Sequence, residues 1–201
     1  RDEETAILIF HQMGTVAHSQ YFFDDAISWY QQALQLSDRM GNHAQMGIEF
    51  HHLGLVEQAR EFFVQDAEHW YMMALQQWEE TGDRRSEGDE CRQLGVLFHE
   101  QKELDKAEEW YIRAKDIFEE IQDLNRICRT YGQMGMIAEE RDDVPGALTW
   151  AARTYQMANA NNLQVLIQAK AHHPTMREKI AEQEYNTSSQ QYARDPPPAD
   201  K

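Results

Sequence analysis

Residues Leu94 to Gln122 read LGVLFHEQKELDKAEEWYIRAKDIFEEIQ, and the chain before and after them repeats this stretch with changes. A Leu-Gly or Met-Gly step recurs at Met13-Gly14, Leu53-Gly54, Leu94-Gly95 and Met134-Gly135, so the glycines lie 40, 41 and 40 residues apart. An Ala-x-x-Trp step follows each, at Ala26/Trp29, Ala67/Trp70, Ala107/Trp110 and Ala147/Trp150. A fixed period of this length is the signature of an array of supersecondary units stacked in line.

Each unit reads as two helices. Ile7, Phe10, Met13, Ala17 and Tyr21 have helical spacing and predict a helix over 3–22. Asp24-Asp25 then sits where an N-cap and an acidic first turn belong. A second helix from Ala26 closes near Met40-Gly41-Asn42, a C-cap signal. The same reading predicts helices near 44–61 and 66–81, 85–101 and 105–121, and 125–141 and 144–160. Pro145 suits the first turn of the last, where its missing N–H costs little. An extra residue around Phe63 to Gln65 accounts for the spacing of 41.

After Leu163 the register fails, because Thr175 stands at the glycine position, just past His172-His173-Pro174. Residues from about 163 to 185 are expected to form a degenerate C-terminal capping helix or pair. That makes 1–185 one repeat domain and 186–201 a disordered, proline-containing tail. A glycine inside a helix costs about 1 kcal/mol relative to alanine, so four at one repeat position need a packing reason. The expectation is that Gly14 faces Ala26 across its hairpin, with Trp29 and Tyr30 filling the space between layers.

The net charge of −16 removes the basic patch on which nucleic-acid affinity normally rests, and disfavours docking on anionic membranes. There is no apolar run of 18 residues to span a bilayer. Cys91 and Cys128 lack C-x-x-C spacing and fall inside helical patterns, as buried reduced thiols do. The chain starts at Arg1 partway through a helical pattern, as a fragment of a longer cytoplasmic protein would.

The aromatic, Leu-Gly, Ala, aromatic and Ala positions resemble the tetratricopeptide repeat. Phe10, Met13, Gly14, Ala26, Tyr30 and Ala33 carry the resemblance in the first repeat, and Phe50, Leu53, Gly54, Ala67, Tyr71 and Ala74 in the second. Cys91, Leu94, Gly95, Phe98, Ala107, Tyr111 and Ala114 carry it in the third. The fourth keeps Tyr131, Met134, Gly135 and Ala147, with Ala151 and Thr154 replacing the second aromatic and the last alanine. The period of about 40 resembles the long-repeat branch found in bacterial regulators and scaffold proteins, and the family's closing proline is missing. The resemblance implies an all-α, right-handed superhelical solenoid of four antiparallel helix hairpins whose first helices line a concave, partner-binding groove.

Transferring the groove positions gives three rows. His11, His51, Arg92 and Gly132 form one, and Thr15, Leu55, Val96 and Met136 a mostly apolar second. His18, Gln58, His99 and Glu139 form the third, bordered by Leu8, Ile48, Asp89 and Arg129. The candidate partner-binding residues are therefore His11, Thr15, His18, His51, Leu55, Gln58, Arg92, Val96, His99, Arg129 and Met136. The Lys and Asn residues of the family's carboxylate clamp are absent. What remains suits a peptide or protein segment with apolar anchors and one acidic or hydrogen-bonding group near His51, Arg92 and His99.

Nine histidines raise a metal reading, but His11 and His18 lie two turns apart, and adjacent His51-His52 and His172-His173 are expected to point to divergent faces. No metal-ligand spacing, phosphate loop or G-x-S-x-G element is present, so neither metal, cofactor nor enzymatic activity is expected. Two functions stay open: a protein-interaction module binding a partner in the groove, and self-association through the face carrying Trp150, Ala151, Tyr155 and Met157.

Overall fold

The computed structural model describes residues 2–60 and 64–160, the side chains of 64 and 158–160 excepted. The expected cap, the tail and His172-His173 lie outside the described residues. Those residues form α1 (Asp2–Ser19), α2 (Phe23–Arg39), α3 (His43–Ala59), α4 (Val64–Thr81), α5 (Arg84–Glu100), α6 (Leu104–Glu120), α7 (Leu124–Glu140) and α8 (Val144–Ala160), with no strand among them. The chain divides into two compact units, one of residues 1–122 holding α1 to α6 and one beginning at Asp123 and holding α7 and α8.

The turns are nearly uniform because the backbone solves one problem repeatedly. Among the described residues a left-handed residue follows six of the helices: Tyr21, Lys102 and Asp142 within hairpins, and Gly41, Gly82 and Gln122 between them. The next amide then reaches back to a carbonyl five residues earlier, as in Phe22 N to Ala17 O at 2.9 Å, Asn42 N to Ser37 O at 2.9 Å and Glu103 N to Phe98 O at 2.9 Å. This satisfies carbonyls that the helix end would leave bare. First helices carry side-chain caps, from Asn42 to Gln45 N, Asp83 to Ser86 N and Asp123 to Arg126 N. The expected cap at Asp24-Asp25 is corrected: both lie in the first turn of α2, and Phe22 holds the N-cap position without a side-chain bond.

Packing in the first unit follows the repeat. Ala26, Tyr30 and Ala33, then Ala67, Tyr71 and Ala74, then Ala107, Tyr111 and Ala114 are fully buried. The glycines do face a close neighbour, and the atoms nearest to each belong to the tyrosine ring rather than to the expected alanine. A methyl on Gly14 would stand 2.6 Å from Tyr30 Cε1, and Gly54 and Gly95 meet Tyr71 and Tyr111 in the same way. A second glycine two turns earlier makes room for another ring, Gly47 for Trp78 and Gly88 for Phe118. The first repeat inverts the sizes, with buried Ile7 and Ser37 in those places. Trp29, Trp70, Trp110 and Trp150 are half-buried, and Trp29 and Trp70 pack against the core cluster shared by the first two hairpins. Trp29 stacks on Phe10 at 5.7 Å and Trp70 on Phe50 at 5.8 Å.

In the second unit Trp150 packs on Tyr131 with ring centroids 5.4 Å apart. Ala151 replaces the tyrosine, so Gly135 meets only Trp150 Cβ at 3.6 Å. Gly132 has no neighbour within 4 Å among the described residues, so no close approach there calls for a glycine. Cys91 and Cys128 are buried free thiols, one in each unit, and burial pushes the Cys91 thiol up to about 12.

Candidate partner-binding face

The first helices of the first unit bring several of the expected residues together through carboxylates that pattern reading passed over. His11 Nδ1 lies 3.1 Å from Oε1 of Glu49, a carboxylate on α3 with no exposed side-chain surface. One repeat later His51 Nδ1 lies 3.0 Å from Oε2 of Glu90 on α5, which is 2% exposed. Each histidine thus reaches from one hairpin to a buried acid of the next, 38 or 39 residues ahead. Glu49 also accepts from Gln45 Nε2 at 2.5 Å. Buried carboxylates need such partners, because an uncompensated charge there is costly.

His52 joins the two pairs. Its ring stacks on Tyr30 at 5.2 Å and meets His11 edge-on at 4.7 Å and His51 at 5.5 Å. Adjacent His51 and His52 therefore do not diverge. The two rings meet because His52 folds back over the buried tyrosine. Burial, with His51, His11 and His18 nearby, brings the His52 pKa down to about 3. Burial also works against the His51 cation, but its hydrogen bond to Glu90 and the negative charge of Glu90 and Asp89 outweigh it and hold the His51 pKa above its ordinary value. Burial raises the Glu90 pKa in spite of His51 and a hydrogen bond with Trp78.

The remaining residues divide by how occupied they are. Thr15 donates to His11 O at 3.0 Å and accepts from Tyr30 Oη at 3.3 Å. Gln58 accepts from Tyr71 Oη at 2.6 Å and from Gln93 Nε2 at 3.0 Å, and donates to Glu100 at 2.6 Å. Leu55 and Val96 are half-buried. His18 is half-buried near Phe23, and burial lowers its pKa. His99 is only 8% exposed and lies edge-on to Tyr111, which leaves it little surface for a ligand. Arg129 and Met136 lie on α7 of the second unit, both exposed.

Arg92 differs from all of these. It follows His11 and His51 in the repeat, is half-buried, and forms no hydrogen bond or ion pair among the described residues. In register with Glu49 and Glu90 the fourth repeat has Thr130, whose hydroxyl is spent on Arg126 O at 2.9 Å. Reading for groove positions missed Glu49, Glu90, His52 and Gln93. A signal for the acids was present: a charged residue recurring on the buried face at the spacing of the repeat. Among the described residues no three His, Cys, Asp or Glu side chains are disposed to hold a metal ion.

No protein-family model and no curated protein matches the chain. Solved structures do. Aspartyl phosphate phosphatase F from Bacillus subtilis aligns at a TM-score of 0.77 and 14% identity, over 96% of this chain and 52% of that one. BtubC from P. vanneervenii gives 0.70 and 19%, over 81% and 66%. A Podosopora anserina kinesin light chain of nearly identical TPR-like repeats gives 0.66 and 12%, over 95% and 97%. The chain therefore spans about half of the phosphatase and about two thirds of BtubC. At these identities the likeness concerns the fold, which is that of a tetratricopeptide-like array of helix hairpins.

Proposed function

We propose that this tetratricopeptide-like array is a protein-interaction module, and that α1, α3 and α5 hold a segment of a partner protein by apolar anchors and one carboxylate placed at Arg92. The observation that carries the reading is the interrupted series. His11 and His51 are each matched by a buried acid, whereas Arg92 is not. A half-buried guanidinium keeps its charge and its planar fork of donors, so it favours a bidentate carboxylate supplied from outside. Leu55 and Val96 give the apolar contact beside it, as expected of a groove that takes a helix or extended segment.

In this reading Glu49 and Glu90 hold the histidines and do not bind the partner. A test uses arrayed peptides carrying apolar residues at helical spacing, with and without a single Glu, against wild type and the Arg92→Ala and Arg92→Lys variants. Glu-containing binders are expected to lose about tenfold or more on Arg92→Ala and to recover only partly with Lys, since hydrogen bonds to charged groups are worth about 1.5–3 kcal/mol. Equal binding by all three proteins refutes the placement.

A further inference from the structure

His51 spends one ring nitrogen on the fold and keeps the other. Its Nδ1 lies 3.0 Å from Glu90 Oε2, and an ionised carboxylate only accepts, so Nδ1 carries the hydrogen. That leaves Nε2 as the atom that gains and loses a proton, and it forms no hydrogen bond among the described residues. The His51 side chain is 31% exposed and that of Glu90 2%, so solvent reaches the ring and hardly reaches the acid. Arg92 stands at the same repeat position one hairpin later. Burial opposes the His51 cation, and so does the charge of Arg92, while Glu90 and Asp89 of α5 favour it and prevail. The other titratable groups around the ring are neutral near pH 7. Tyr71 of α4 lies 5.9 Å away, its phenol held above its ordinary value by burial. His52, 5.5 Å away and touching His11 of α1 at 4.7 Å, takes a proton only near pH 3.

We propose that His51 is a proton switch for the Arg92 site: an acidic partner segment binds together with a proton on Nε2, so its capture strengthens as pH falls from about 9 toward 6.5. The switch rests on the reading of Arg92 given above. Neutral His51 turns a lone pair on Nε2 toward its surroundings and repels a carboxylate. Protonated, the same atom becomes a donor, and its charge adds to that of the guanidinium. An anion beside both cations also offsets their mutual repulsion. The free protein already titrates His51 above 6.5, and a bound carboxylate moves that value further up. Affinity therefore begins to rise as pH falls through the bound value and levels off below the free one. A glutamate of the segment, with a pKa of about 4.3, and the guanidinium keep their charges throughout this window.

One arm of the test needs no partner. The imidazole C–H signals of His51, assigned with His51→Gln, report its titration by NMR in the 201-residue chain. Arg92→Ala is expected to move that titration to higher pH, and an unmoved titration overturns the proposal, because the two groups are then too weakly coupled to share a ligand. The other arm titrates a Glu-containing peptide from the array above, and its Gln version, against wild type and His51→Gln between pH 9 and 6.5. In wild type the Glu peptide is expected to gain about three- to tenfold, the Gln version no more than about twofold, corresponding to a pKa rise of roughly half a unit to one unit on binding. His51→Gln keeps an amide donor for Glu90 and should abolish the difference between the two peptides. Circular dichroism checks its helices. Should they be lost, the wild-type NMR titration with bound Glu peptide replaces it and must shift upward. Equal gains by both peptides, or a difference that survives in His51→Gln, overturns the switch and leaves the carboxylate at Arg92 intact. Failure to find any Glu peptide that weakens on Arg92→Ala refutes the underlying reading, and the switch with it.

Discussion

The same residue type plays opposite parts at different positions of the repeat. Gly95 lies against the ring of buried Tyr111, with a built Cβ 2.5 Å from two ring carbons, whereas Gly135 has an ordinary 3.6 Å neighbour. Gly95→Ala is expected to destabilise by about 1–3 kcal/mol, as overpacking does. Gly135→Ala should instead be neutral or stabilise by up to about 1 kcal/mol from helix propensity alone. Chemical denaturation of both variants checks the pair, and equal losses contradict the packing account. His52 gives a second prediction at this scale. Its pKa is about 3 when folded and near 6.5 when unfolded, so between these values the unfolded chain binds the extra proton and stability falls as pH falls. Replacing it by Phe keeps a ring on Tyr30 and removes that titration. Between pH 7 and 4.5 wild type is expected to lose as much as about 2 kcal/mol more than His52→Phe. His51 works in the other direction: its raised pKa stabilises the fold below about 6.5, a contribution lost as pH rises through the folded value.

Among elements, the turns and caps are interchangeable in form and unequal in quality. Lys102 and Gln122 hold left-handed conformations, with φ of 63° and 56°, that Gly41 and Gly82 adopt without strain. Lys102→Gly and Gln122→Gly are each expected to raise stability by roughly 0.5–1 kcal/mol, less whatever the freer unfolded chain takes back. Asp83 caps α5 through Ser86 N at 3.1 Å and Ser86 Oγ at 2.7 Å, and Asp83→Ala should cost about 1 kcal/mol. Melting temperatures measured on these three variants decide both points. The helices themselves were legible in the sequence to within two or three residues, because alanine, tyrosine, glycine and the turn signals recur together. What could not be read was which pairs of those residues meet. The glycine was expected against Ala26 and meets Tyr30, since period and spacing fix a face but not the side chain that crosses to it. Glu49 and Glu90 were hidden for a related reason: an acid among core positions reads as a surface residue until the histidine of the previous hairpin is placed beside it.

At the scale of the molecule, the repeats supply a regular scaffold, and what is particular to this chain lies in the departures from it. His11 and His51 with their buried acids lock successive hairpins of the first unit, and their regularity marks them as structural. Arg92, without a buried acid of its own, breaks the regularity. Among the described residues no helix is long and apolar enough to cross a membrane. The central claim is that Arg92 receives a carboxylate from a bound segment, and a double-mutant cycle tests it most directly: a Glu-containing peptide ligand and its Gln version, each titrated against wild type and Arg92→Ala. The account predicts a coupling of at least about 1 kcal/mol between the peptide's Glu and Arg92. A coupling of zero, with Glu and Gln peptides losing affinity equally on Arg92→Ala, would contradict it.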